Sequence, residues 1–197
     1  RETEMNVTTG FRAAFEAKAG QRVALRLTAS TIYRAFINGA FCGHGPARGP
    51  HGWFRVDEWD ITSLLRAGNN VVAVEVACYN SNSYAYLDQP SLLQAEIVSD
   101  GEVLAATGKG ESFGAAVLPE RLQKVQRYSF QRPFSEVYRL TPGYDRWRED
   151  AAAPMAAVKC AVQQPLQLLE RRVPYPAFRV RPALWLVAHG ELAAREK

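Results

Sequence analysis

The chain has 197 residues, with 24 Lys and Arg against 20 Asp and Glu for a formal net charge of +4, and 47% of its residues are apolar and 11% aromatic. That balance excludes a disordered polymer and is enough for one large core. The arginines are scattered rather than clustered, which argues against nucleic acid as a partner, and no apolar run of about eighteen residues is present to span a membrane.

The N-terminal "RETEMNVTTG" lacks the basic-then-apolar layout of a signal peptide, and a start at Arg1 reads as a piece cut from a longer polypeptide. Composition implies a soluble chain and leaves localisation open. Next, Val23, Leu25 and Leu27 alternate with Ala24, Arg26 and Thr28, the period-two pattern of a half-buried strand. "TIYRAFI" leads into Asn38-Gly39, a dipeptide suited to both positive-φ positions of a type I′ turn, and "AFCG" returns as the second strand of a hairpin.

The stretch from Phe36 to Phe54, "FINGAFCGHGPARGPHGWF", holds one cysteine, two histidines, five glycines and two prolines. "GWFRV" reads as a strand, and Asp60 is placed to cap a single helical turn that Gly68 would end. "NVVAVEVACYN" is a β-branched run suited to buried sheet, and "SLLQAEIVSDGEVLAATG" reads as two strands around Asp100-Gly101. "QRYSFQRPFSEVYRL" predicts one or two further strands, as does "AAVKCAVQQPLQLLERRVPYP".

Eight or so short strands without long amphipathic helices predict an all-β, antiparallel β-sandwich. Residues 1–176 form that module, and 177–197 read as a linker or the first strand of a following domain. Cys42, Cys78 and Cys160 are odd in number and far apart, so they read as buried thiols rather than a disulfide framework.

Cys42, His44 and His51 are metal-compatible, but their spacing matches no usual zinc pattern. "GHGPARG" lacks the following helix that a phosphate-binding loop needs. "GESFG", Gly110 to Gly114, is a literal G-x-S-x-G with Asp145, Asp150 and His189 downstream, yet no strand-turn-helix context surrounds Ser112, so a serine hydrolase is the weaker reading. Asp57, Glu58 and Asp60 precede a helical turn, and Glu136 stands alone among apolar neighbours as an ion-pair partner, so no catalytic carboxylate pair emerges.

Loop aromatics point elsewhere. Sugar rings stack their C–H faces on Trp or Tyr while their hydroxyls seek planar amides, and "YNSNSYAYLDQP" supplies both. His51, Trp53, Tyr79, Asn80, Asn82 and Tyr84 are therefore the candidate carbohydrate-binding residues, with Tyr79, Tyr84 and Tyr86 as mere rim cover the competing reading. No cofactor is required; Asn80, Asn82 and Asp88 are oxygen donors for a possible structural calcium.

"YRAFINGAFCGHGPARG", "WFRVDEWDITSLLRAGNNVVAVEVACYN", "YSFQRPFSEVYRL" and "LLERRVPYP", in this order, resemble the N-terminal β-sandwich of bacterial α-L-rhamnosidases, glycoside hydrolase family 78. The likeness spans Phe11 to Pro176 and rests on Tyr33, Asn38-Gly39, Gly43, Gly45-Pro46, Asp60-Ile61-Thr62, Leu65, Gly68 to Asn70 and Glu136 to Tyr138.

The resemblance implies a jelly-roll module of the galactose-binding-like class, non-catalytic, partnered by the catalytic domain of the same polypeptide and by rhamnose-containing glycans. A purely structural interface module is the alternative. Phe113 stands where such modules often carry tryptophan, and the family's catalytic carboxylates lie in a downstream (α/α)6 barrel, so none carries over.

Overall fold

A computed structural model describes residues 4–108, 112–177 and 182–191. Ten strands follow in chain order: β1 (Val7–Ala17), β2 (Ala24–Ser30), β3 (Ile32–Ile37), β4 (Ala40–Gly45) and β5 (Trp53–Asp60), then β6 (Gly68–Cys78), β7 (Leu92–Ser99), β8 (Glu102–Ala106), β9 (Gly114–Val117) and β10 (Gln167–Glu170). They form two five-stranded sheets, ordered β4-β3-β6-β1-β9 and β10-β5-β2-β7-β8. The chain passes from one sheet to the other at most connections, the jelly-roll way of stacking two sheets. The only helical elements among the described residues are single 3-10 turns at Thr62–Leu64 and Arg146–Arg148.

Both Asx-Gly turns form as predicted. Asn38 and Gly39 have φ of 49° and 83°, and Asp100 and Gly101 have 49° and 85°, the two successive positive values that a type I′ hairpin needs. Asn38 also reaches across the fold. Its Nδ2 donates to Asn70 Oδ1 at 2.9 Å and to Leu64 O at 3.1 Å, and its Oδ1 accepts from Val71 N–H at 2.9 Å.

Asn70 is wholly buried, accepts as well from Arg66 N–H, and donates to the Arg66 and Gly68 carbonyls. One side chain thus satisfies four hydrogen bonds and pins the entry to β6 against the first hairpin. Asn70→Ala is expected to leave these main-chain groups unpaired and cost about 2–3 kcal/mol, measured as a lowered unfolding midpoint.

Several expectations differ from the structure. β1 is eleven residues long and sits mid-sheet between β6 and β9; its inward side includes Ala13, Phe15 and Ala17, and the alanines dilute the alternation that would announce it. Asp60 does accept from Thr62 N–H at 3.0 Å, but the turn closes at Leu65, and Gly68, with φ of 86°, opens β6 instead of ending a helix. Residues 121–139 form no strand; they make only the bridges Arg121↔Tyr138 and Arg127↔Phe134. Their side chains cap one end of the sandwich, where no neighbouring strand offers a ladder. Of the thiols, Cys78 is buried, Cys42 half-buried and Cys160 exposed, because Cys160 follows a single bridge at Ala157 on an outer edge.

The main core lies between the sheets and includes Leu25, Leu27, Ile37, Ile61, Val72, Val74, Val76 and Ile97. A second, smaller cluster on the outer face joins Phe36 and Ala73 to Leu118, Trp147 and Ala153. The segment after β9 therefore folds back over its own sheet. This explains the apolar run of β6 from Val71 to Cys78, which is interrupted only by Glu75 and covered on both faces.

Candidate functional site

Antiparallel register brings the predicted loops to one end of the sandwich. Leu27 of β2 lies opposite Asp57 and Ser30 opposite Leu92, so the start of β5, the β2–β3 link and the start of β7 share that end. The loop from Cys78 to Ser91 arrives there too, with Tyr79 N–H on Thr31 Oγ1 at 3.4 Å. Burial pushes the Tyr86 hydroxyl above its ordinary range, Tyr79 adds to this, and the Arg48 guanidinium of the first loop opposes it.

The predicted carbohydrate residues divide by orientation. Tyr79 is buried, with Tyr86 at 5.3 Å, Phe134 at 6.4 Å and the Arg121 guanidinium at 5.7 Å from its ring. Asn80 is buried as well; Nδ2 donates to Glu4 O at 3.0 Å and Oδ1 accepts from Ser91 Oγ at 2.9 Å. Both are buried where the chain leaves β6, and they hold the loops together. His51 and Asn82 are exposed, Trp53 opens β5 at 44% exposure, and Tyr84 stands out at 79%.

In the calcium set, Asn82 Oδ1 accepts from Asp88 N–H at 2.9 Å, so the Asn80 and Asn82 oxygens both serve the loop's own hydrogen bonding. Among the described residues no three His, Cys, Asp or Glu side chains gather as a metal site.

Two rings missed by the strand reading of residues 126–140 join this end. Tyr128 and Phe130 are exposed, and Tyr84 N–H donates to Gln131 O at 2.9 Å. Arg127 organises the junction, its Nη2 donating to the carbonyls of Asn82 at 3.0 Å, Phe130 at 2.6 Å and Arg132 at 2.8 Å. Tyr84, Tyr128 and Phe130 thus project from two loops knitted by one guanidinium. Treating "RYSF" as loop rather than strand would have exposed the signal.

The glycines of the first loop have a packing role. A Cβ on Gly43 would strike the Trp59 ring, and one on Gly45 would strike Asp57 and the Tyr33 hydroxyl. Cys42 packs against the core, and burial pushes its thiol up to about 11, while His44 pairs opposite Arg34 in the sheet and His51 lies in the exposed turn beyond. Asp57 is fully buried. It accepts from Tyr33 Oη at 2.5 Å and from Arg171 Nη1 at 2.7 Å, and Trp59 Nε1 donates to the same Tyr33 oxygen at 2.9 Å.

Burial first, and then the Asp57 charge, push the Tyr33 hydroxyl far above its ordinary range, so it serves as a fixed donor. The Arg171 guanidinium lies 4.1 Å from the Tyr175 ring centre, and that ring lies 4.2 Å from Trp59. With β10 parallel to β5 and Arg55 Nη1 on Glu170 O at 2.7 Å, residues 167–175 form a strap along the sandwich. Beyond it, Leu184, Trp185, Leu186 and Val187 are exposed.

Gly110 and Glu111 of the G-x-S-x-G motif lie outside the described residues. Ser112 precedes β9, Asp145 lies 4.0 Å from Arg148, Asp150 accepts from Ala152 N–H, and His189 is exposed in the C-terminal segment. No hydrogen bond among the described residues joins them into a triad.

A GH78 family rhamnosidase of Bacillus sp. GL1 matches 88% of this chain with a TM-score of 0.74 and 29% identity. The chain is built like a module of that rhamnosidase. This rhamnosidase-like module spans only 19% of the matched chain. An α-L-rhamnosidase from Streptomyces avermitilis complexed with L-rhamnose matches 68% of the module at 22% identity and a TM-score of 0.44, and covers 16% of that enzyme. A lectin from Pleurotus ostreatus in complex with GalNAc matches 77% of the module and 42% of its own chain, at 17% identity and 0.40. These two likenesses are too loose to carry an argument. No protein-family model and no curated protein matches the chain.

Proposed function

We propose that this chain is a non-catalytic accessory module of a rhamnosidase-like glycoside hydrolase, and that its loop end contacts rhamnose-containing glycans. The observation that carries the reading is the match over nearly the whole module to a small part of a GH78 rhamnosidase. The acidic residues also have structural occupations: Asp57 on Arg171 of the strap at 2.7 Å, Glu58 on Arg26 at 2.7 Å, Asp60 on Thr62 N–H, and Glu136 near Arg121 at 3.6 Å. The glycan contact is assigned to His51, Trp53, Asn82 and Tyr84, joined by Tyr128 and Phe130, because exposed rings backed by planar amides suit both the C–H faces and the hydroxyls of a sugar.

A second reading is favoured by the strap and by the exposed Leu184, Trp185, Leu186 and Val187: the C-terminal side packs on another domain of the same polypeptide. Titration of the chain with a rhamnose-containing oligosaccharide, followed by calorimetry, separates the two. Saturable binding that Tyr84→Ala or Tyr128→Ala weakens about tenfold, as loss of one stacked ring predicts, supports the carbohydrate reading. Heat-silent titration up to about 20 mM, beyond the millimolar range of weak sites, leaves the interface role alone.

A further inference from the structure

A groove of about 470 Å³ opens on the outer face of the module beside β9, within the size range of small-ligand sites. Its lining includes Glu120, Arg139, Thr141, Tyr144, Trp147 and Met155. Trp147 is almost fully buried and packs on Gly10, where a Cβ would come within 2.8 Å of the indole and of Leu118. That close approach makes the floor rigid. The walls are held by Arg139 N–H donating to Glu120 O at 2.7 Å, which sets the two side chains at one wall.

The Glu120 carboxylate is half-buried, has its own main-chain N–H as a hydrogen-bond partner and forms no ion pair among the described residues; the exposed Arg139 guanidinium forms none either. Elsewhere this protein pairs its sequestered carboxylates closely, Glu75 with Arg34 and Arg148 and Asp57 with Arg171. Burial foremost pushes the Glu120 carboxyl above its ordinary range, with the hydrogen bond from its own main chain and, more weakly, Arg148 opposing. A carboxylate and a guanidinium that form no ion pair, in one concave site, offer acceptor and donor hydrogen bonds without net charge. A hydroxyl-rich neutral ligand suits that pairing; an anion would meet Glu120 and a cation Arg139. The Tyr144 ring and Met155 supply apolar surface for a C–H face.

We propose that this groove seats one neutral pyranose unit, held by hydroxyl contacts to Glu120 and Arg139 and by apolar contact with Tyr144. The proposal rests on the carbohydrate reading above but names a site separate from the loop-end rings. The test is amide chemical-shift mapping of the full ¹⁵N-labelled chain titrated with L-rhamnose to about 20 mM, with D-glucuronate as the anionic comparison. Saturable shifts at Glu120, Thr141 and Tyr144 are expected with L-rhamnose and not with D-glucuronate.

Glu120→Gln and Arg139→Met should each weaken the L-rhamnose shifts about tenfold, the size of one lost charge-assisted hydrogen bond, while thermal melts confirm that both variants fold. Tyr84→Ala should leave the groove shifts unchanged. Equal shifts with D-glucuronate, or wild-type affinity in both groove variants, overturn the proposal. Movement confined to the Tyr84 and Tyr128 loops overturns the groove and keeps the carbohydrate reading; no movement anywhere overturns both.

Discussion

Replacing Asp57 with alanine is expected to destabilise the module by about 3–5 kcal/mol, the cost of removing one partner from a buried ion pair. Asp57 is 0% exposed and the Arg171 side chain 10%, so the orphaned guanidinium could reach water only by lifting the strap. The Tyr33 hydroxyl and, behind it, the Trp59 indole would lose their anchor at the same time. Asp57→Asn, which keeps an acceptor oxygen but not the charge, should fall between wild type and alanine.

The measurement is a denaturant midpoint at unchanged slope, paired with limited proteolysis within residues 167–175. In the alanine variant the strap should become a cleavage site before the sandwich core does, because its remaining ties are four parallel pairings of β10 on β5, the Arg55 hydrogen bond to Glu170 O and the Tyr175 contacts. A loss under about 1 kcal/mol, the ceiling for a solvent-exposed pair, would mean that Arg171 contributes no buried ion pair and that the strap is held by its rings alone.

None of this cluster was legible as a cluster. Asp57 and Arg171 are 114 positions apart, and a sequence read locally assigns Asp57 to a helix cap and Arg171 to surface. Readable features were those whose physics is local. The two Asx-Gly turns announce themselves because few residues tolerate successive positive φ, and the β6 run because β-branched residues covered on both faces leave no polar alternation.

Orientation was the harder question at the loop end. Tyr79, Asn80 and Tyr84 share one short motif of similar residues, yet Tyr79 and Asn80 are buried directly after β6, which is covered on both faces, while Tyr84 stands out in solvent. Residue type predicts what a side chain can touch, and only the register of β6 against β1 and β3 decides which ones face solvent. Tyr128 and Phe130 were hidden for the opposite reason: alternating aromatics read as a strand, although here they cap the end of two sheets.

Glu75→Ala is expected to cost about 3–5 kcal/mol as well, and its consequence should be localised. Glu75 is 4% exposed on the outer face of β6, directly opposite Arg34 of β3. It accepts from Arg34 Nη2 at 2.5 Å and Nε at 2.9 Å, and from Arg148 Nε at 2.9 Å with Nη2 at 2.6 Å. The two arginines differ in their escape. The Arg34 side chain is 44% exposed and can turn to water, whereas Arg148 is 14% exposed and lies 4.5 Å from the Phe36 ring centre.

Without the carboxylate, Arg148 can be solvated only if the Arg146–Arg148 turn lifts from the sheet and uncovers Trp147. Amide exchange should therefore accelerate at Arg148 and Glu149 before it does in β6. The double change Glu75→Leu with Arg148→Met should recover stability to within about 1 kcal/mol of wild type, since an apolar replacement of similar volume avoids both desolvation and the orphaned charge. If the double variant stays as unstable as Glu75→Ala, the triad's contribution is geometric, through the hydrogen bonds that align β3, β6 and the turn, and not a matter of cancelling charge.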